Sequence, residues 1–299
     1  MRIKAECPAC LINRAYLESE KASKDPSVRH SALLEALRQI GCHTSPDVTP
    51  AYLGTIRDRA IKNTSGNPDP FKDDKIASNQ RALKLVPKAQ DYVLEAPGRS
   101  QRFRRACLVS IVGNAFEFGI KGYEFNYDNL PRWIEDAEND VAIDDIKKIE
   151  STCNRVRNVL LLTDNAGEIA FDKILVGQLK GLGLTVTVAV KVAPISNDAT
   201  MEDAFSVGMT ETADKVITTG TDSVGLLLEE CSKEFLATYA KAELVIAKGM
   251  AHYETLSDHK LTQPHAFMFR VKCPAISSDL EVPLGKNIAY LIDPEASEN

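Results

Sequence analysis

The 299-residue sequence predicts an α/β fold: a Rossmann-like, mostly parallel sheet domain over residues 151–299, preceded by an all-helical domain over residues 1–150. Three observations lead there. The first half places apolar residues at helical spacing, with Lys, Arg, Glu and Asp on the opposite faces. From Arg157 onward, short β-branched runs alternate with helical stretches, as in βαβ units with right-handed crossovers. A composition of 44% hydrophobic and 26% charged residues over this length suffices to bury a sizeable core.

Residues 30–41 carry apolar positions three and four apart and stop at Gly41, which reads as a helix. Residues 51–62 and 71–94 repeat that character, and the turn formers Asn63-Thr64-Ser65-Gly66-Asn67-Pro68-Asp69-Pro70 join them. Further helices are predicted over 100–118 and 136–150, with the domain boundary at 140–155. Strands are predicted over 159–162, 184–192, 215–218, 244–247 and 267–271, and helices over 167–182, 201–208 and 223–240 separate the first four.

In a doubly wound sheet the residues that follow the strands converge in space, however far apart they lie in sequence. Asp164-Asn165 follow the first strand, Ser196-Asn197-Asp198 the second, Thr219-Gly220 the third, and Lys248-Gly249 the fourth. Carboxylate and carboxamide oxygens from Asp164, Asn165 and Asp198 suit a hard divalent cation such as Mg²⁺ or Mn²⁺. Backbone N–H groups at the helix start after Thr219-Gly220 add donors for an anion, and Lys248 adds a compact positive charge. Gly249 lets the backbone approach closely.

Together these parts describe a phosphate-ester site. Glu168, in the first turn of the following helix, is placed to orient metal-bound water or to act as general base. Asp172, one turn on, reads as a solvated or helix-pairing residue. Asn114 and Glu117 interrupt an apolar helix face, and Asn114 is read as reaching from the helical layer toward substrate. The competing structural reading is that Asp164 or Asn165 caps a helix and Lys248 is a surface lysine.

Other classes fit less well. The net charge of -6 argues against a nucleic-acid partner. No apolar run approaches the ~20 residues that span a bilayer, and the amino terminus has no signal-peptide core, so a cytoplasmic, membrane-free protein is expected. Seven cysteines fit reduced thiols. Cys7-Pro8-Ala9-Cys10 has zinc-ligand spacing, which Cys42-His43 would have to complete, but free thiols are the expectation. The oligomeric state is not legible. An aspartyl-phosphate mechanism is disfavoured because Asp164-Asn165-Ala166 lacks the second aspartate of an Asp-x-Asp pair. Two alternatives stand beside hydrolysis: an S-adenosylmethionine-dependent carboxyl methyltransferase, and a non-catalytic metal-dependent binder of phosphometabolites. The methyltransferase requires a glycine-rich turn after the first strand, where only Gly167 occurs.

Four ordered motifs carry a family resemblance: Gly113-Asn114-Ala115-Phe116-Glu117-Phe118-Gly119, Asp164-Asn165-Ala166-Gly167-Glu168, Asn197-Asp198-Ala199-Thr200 and Lys248-Gly249-Met250-Ala251-His252-Tyr253-Glu254. Together they resemble the metal-dependent damage-control phosphatases, long catalogued as a domain of unknown function. Cys7-Pro8-Ala9-Cys10 resembles the prokaryotic branch. The resemblance covers essentially the whole chain. It implies a helical domain beside a Rossmann-like one, and hydrolysis of phosphate esters of sugars and related metabolites with Mn²⁺, Mg²⁺, Co²⁺ or Ni²⁺. The metal would be held by Asp164, Asn165 and Asp198, with Lys248 as phosphate ligand and Asn114 in the same pocket. His252 stands where the family usually has Asn, and Glu117 where it usually has Asp. Neither change touches the three implied ligands, so activity is still expected.

Overall fold

A computed structural model of the chain describes residues 1–114 and 130–294. Glu117, singled out by the sequence, lies outside them. Five helices open the chain: α1 (Cys7–Ala22), α2 (Pro26–His43), α3 (Pro50–Ser65), α4 (Lys72–Leu94) and α5 (Gly98–Gly113). Their starts are chemically marked. Asp25 accepts the Ser27 N–H at 2.8 Å and Thr49 accepts the Tyr52 N–H at 3.1 Å, each just before a proline in the first helical position. Gly66, at φ 70°, closes α3 in the left-handed conformation.

After α6 (Leu130–Asn139), β1 (Val141–Asp144) and α7 (Ile146–Cys153), strands and helices alternate. They are β2 (Asn158–Leu162), α8 (Glu168–Gly181), β3 (Thr185–Val190), α9 (Met201–Ser206), α10 (Met209–Thr212), β4 (Lys215–Thr218), α11 (Lys233–Lys241), β5 (Leu244–Lys248), α12 (Met250–Leu256), β6 (His265–Arg270), α13 (Pro274–Leu280) and β7 (Asn287–Ile292). The seven strands lie in the order β1-β7-β6-β5-β2-β3-β4, all pairs parallel except β6 with β7. The chain winds outward from β2 through β3 to β4 and then returns to place β5 on the other side of β2. This reversal opens a crevice at the carboxyl ends of β2 and β5.

Side chains divide cleanly between the sheet's two faces. Val159, Leu161, Val186, Val188, Ile246 and Met268 pack in one core with α4, α5 and α8, whereas Leu160, Leu162, Val245, Phe267 and Phe269 pack in another with α11, α12 and α13. Helices α1 to α3 carry two small cores of their own, one of them alanine-rich, and reach the loops at the carboxyl edge of the sheet. There the Val224 N–H donates to Thr55 Oγ1 at 2.9 Å and the Ser196 N–H to the buried Asp58 carboxylate at 2.7 Å. Arg59 pairs with Asp222 and Glu230 at 2.6 and 2.5 Å.

Several elements differ from the sequence-based expectation, among them the unpredicted helices α12 and α13. The helix predicted over 136–150 is broken by β1, because backbone pairing with β7 captures that segment: the Asp145 N–H donates to Ala289 O and the Asn287 N–H to Asp140 O, both at 2.8 Å. Of the helix predicted over 223–240, only α11 and a 3-10 turn at Leu228–Glu230 form, and α11 is capped by Ser232, which accepts the Phe235 N–H at 3.1 Å. Strand β7 was not predicted. No helix among the described residues is long and apolar enough to cross a membrane.

Candidate active site

The loops after β2 and β3 are zipped together by main-chain bonds. The Ala199 N–H donates to Asp164 O at 2.8 Å, the Ala166 N–H to Asn197 O at 2.9 Å, and Asn165 and Asp198 form an isolated antiparallel bridge. Asp164, Asn165 and Asp198 therefore share one wall of a single cavity of about 330 Å³, which Ser196, Asn197 and Asn114 also line. The opposite side is built from α1 and α3 and includes Arg14, Gly54 and Arg57.

The carboxylate of Asp164 is held by amides. Asn114 Nδ2 and Asn165 Nδ2 donate to its Oδ2 at 2.7 and 2.6 Å, and Asn197 Nδ2 donates to Asn165 Oδ1 at 2.7 Å. Gly249 leaves the room this needs: at φ 84°, a Cβ there would stand 2.1 Å from Asp164 Oδ2. The approach is therefore that of a neighbouring carboxylate. Beside Asp198, the buried Lys191 ammonium lies 3.6 Å from its Oδ2 and also donates to Gly225 O.

Behind this wall runs a fully buried ionic group. Lys248 Nζ donates to Glu168 Oε1 at 2.6 Å, Asp172 Oδ1 at 2.9 Å and Ser110 O at 3.0 Å, with all three ionisable side chains 0% exposed. Burial pushes the Asp172 carboxyl up to about 6 despite the lysine beside it. Burial alone would lower the Lys248 pKa, but its two carboxylate partners outweigh it and hold the group above its usual range. Glu168 Oε2 accepts from Asn114 Nδ2 at 2.7 Å and Asn165 Nδ2 at 3.1 Å, which links the buried charges to the wall. His252 stands next to this group; its Nδ1–H donates to Lys248 O at 2.6 Å, and burial pushes its pKa down to about 3.

Of the residues the sequence singled out, Asn114, Asp164, Asn165 and Asp198 come together on the cavity wall. Glu168 and Lys248 lie behind it, fully buried, and do not line the cavity. Asp172 is not solvated, because α8 is covered by the sheet on one side and by α4 and α5 on the other. Thr219 and Gly220 are also absent from the wall. No helix starts there, and Gly220 packs so closely on Ser232 that an added Cβ would sit 2.4 Å away. Cys7 and Cys10 reach the same cavity from the start of α1, with Cys273 also lining it, whereas Cys42 and His43 lie at the far end of α2. Among the described residues, no group of three or more His, Cys, Asp or Glu side chains is arranged to hold a metal ion. The donor set on the wall differs in kind, being two carboxylates and a carboxamide oxygen, and that is chemistry a hard divalent cation takes.

Several participants gave no signal of their own in the sequence. Asn79 on α4 accepts the Gly167 N–H at 2.7 Å through Oδ1 and donates to Asp203 Oδ1 at 2.8 Å, pinning the turn after Asp164-Asn165 to α9. Lys191 was legible in principle, as a charged residue directly after the buried apolar run Val188-Ala189-Val190 that ends β3.

A model of the damage-control phosphatase ARMT1-like domain matches residues 3–288. An uncharacterized protein of Methanocaldococcus jannaschii is 33% identical over 293 residues, covering 96% of this chain and 95% of that one. A protein of Archaeoglobus fulgidus named damage-control phosphatase is 33% identical over 298 residues, with 98% and 100% coverage. Damage-control phosphatase PH1575 of Pyrococcus horikoshii is 33% identical over 287 residues, with 95% and 96% coverage. Its crystal structure, described as that of a DUF89 family protein, superposes with a TM-score of 0.86 at 32% identity over 97% of this chain and 98% of that one.

Proposed function

Because this chain belongs to the damage-control phosphatase ARMT1-like domain family, we propose that it is a metal-dependent phosphatase acting on phosphate esters of small metabolites such as sugar phosphates. The observation that carries the reading is the gathering of Asp164, Asn165 and Asp198 on one wall of a cavity at the sheet's topological switch point. These three residues would hold Mg²⁺, Mn²⁺, Co²⁺ or Ni²⁺. The chemistry such a cation supplies when bound is withdrawal of charge from the phosphoryl oxygens and activation of water.

The chain's own groups supply position. Asn114 and Asn165 fix the Asp164 carboxylate through their amides, and Glu168 fixes both amides in turn. Lys248, with Asp172, acts in this reading through Glu168: its ammonium donates to that carboxylate and holds it in place in a fully buried setting. Gly249 contributes by having no side chain, which leaves Asp164 its place.

Two assays on the full chain test the reading: hydrolysis of p-nitrophenyl phosphate and of a panel of sugar phosphates, each with Mg²⁺, Mn²⁺, Co²⁺ or Ni²⁺ in turn. Metal-stimulated turnover is expected, and Asp164→Ala should lower it by about 100-fold or more. Full metal-stimulated activity in Asp164→Ala would overturn the assignment.

A further inference from the structure

A phosphate ester brings a dianion to the cavity, yet Lys248 is sealed behind the wall and saturated by three acceptors. Among the described residues, the cations that do line the cavity are Arg14, Arg57 and Lys272. Arg57 is committed to the fold: it is 4% exposed, and its Nε donates to the buried Glu18 at 3.0 Å. Arg14 and Lys272 are half-buried and flank the oxygen donors from two sides. Arg14 Nη2 reaches Ser196 Oγ at 3.4 Å, next to Asn197, whose amide holds Asn165 at 2.7 Å. Lys272 Nζ donates to the main-chain oxygen of Asn114, whose side chain holds Asp164 at 2.7 Å.

We propose that Arg14 and Lys272 are the phosphate-binding pair of this cavity, meeting the phosphoryl oxygens that point away from Asp164, Asn165 and Asp198. The placement rests on the phosphatase reading for the identity of the ligand, and on the cavity for its geometry. Arg14 offers a planar fork that can hold two oxygens at once, and Lys272 a single point charge. Ser196 sets the approach of Arg14. It is one of two non-glycine residues with positive φ among those described, at 46°, and the buried Asp58 carboxylate holds it there through its N–H at 2.7 Å. Among the described residues, the other carboxylates lining the cavity are Glu6 and Glu254. Burial pushes the Glu254 carboxyl up to about 7, which reduces its competition for the two cations near neutral pH. Arg14 comes from α1, 182 residues before Ser196, and Lys272 from the stretch after β6, so anion recognition draws on both halves of the chain.

The test is calorimetric titration of inorganic phosphate into the full chain with Mn²⁺ present, for the wild type, Arg14→Gln and Lys272→Met. Each substitution is expected to weaken phosphate binding about tenfold or more, and to raise KM for p-nitrophenyl phosphate more than it lowers kcat. Thermal melting of each variant checks that it is folded, and Arg14→Lys supplies a conservative second variant, expected to bind phosphate more tightly than Arg14→Gln and more weakly than the wild type. Phosphate affinity unchanged within twofold in both Arg14→Gln and Lys272→Met overturns the proposal, as does a wild type that binds no phosphate. A wild type that binds phosphate through these two residues but hydrolyses no ester sinks the phosphatase reading and leaves this one standing.

Discussion

Replacing Gly249 by Ala adds one methyl group at the point where β5 hands over to α12. The backbone there has φ 84° and ψ 156°, a combination that is almost glycine-only and costs an alanine about 1–3 kcal/mol. The new Cβ would lie 2.1 Å from Asp164 Oδ2 and 2.2 Å from its Cγ. Carbon and oxygen do not approach so closely, so the carboxylate must retreat by about 1 Å, and a misplacement of that size at a reacting site costs on the order of 100-fold in rate. The two consequences separate experimentally. Thermal unfolding should report a midpoint lowered by a few degrees, with the chain still folded at 25 °C. Titration with Mn²⁺ should report weakened binding, and hydrolysis of p-nitrophenyl phosphate should fall about 100-fold. An alanine variant that keeps wild-type Mn²⁺ affinity and turnover would refute the claim that the glycine exists to seat Asp164.

Two further outcomes follow from the buried charges. Lys248→Met leaves Glu168 and Asp172 together at 0% exposure without their cation, and chemical denaturation should show a loss of about 3–5 kcal/mol; wild-type stability in that variant would show that the ammonium holds nothing in place. His252, with its pKa pushed down to about 3, stays neutral in the native protein while the unfolded chain takes up a proton below about 6.5. Its contribution to stability is therefore complete above pH 6.5 and drains away as pH falls toward 3, by about 3 kcal/mol at pH 4. His252→Asn removes this term, so the stability difference between variant and wild type should move in the variant's favour by about that amount between pH 7 and pH 4. His265 acts in the same direction, and Asp172 and Glu254, both raised, act in the opposite one, but all three are present in both proteins. A pH-independent difference would contradict the neutral, buried histidine.

Strands β2 to β6 were legible because each is a short run rich in β-branched and other apolar residues, in β2, β5 and β6 almost wholly buried. That the ends of β2 and β3 lie side by side could be read from topology alone. Strand β1 was not, because four residues between helical segments become a strand only when β7, 146 residues further on, arrives to pair with them. Asp164, Asn165 and Asp198 were readable as oxygens that follow strands. The burial of Lys248 was not, because its acceptors sit on α8 and α5, 76 to 138 residues away. Asn79 illustrates the same limit: nothing local marks it among the polar residues of α4, and its importance comes from an N–H 88 residues later.

Helix α3 is riveted to the β3 and β4 corners by Asp58, Thr55 and Arg59, so the roof over the sheet's carboxyl edge is a separate stretch of chain from the floor. On the proposed function, the oxygens that would hold the cation and the Arg14 side of the cavity thereby lie on different stretches of chain. On that reading, exchanging α1 to α3 between relatives would reshape one side of the cavity while the oxygens beneath stay untouched.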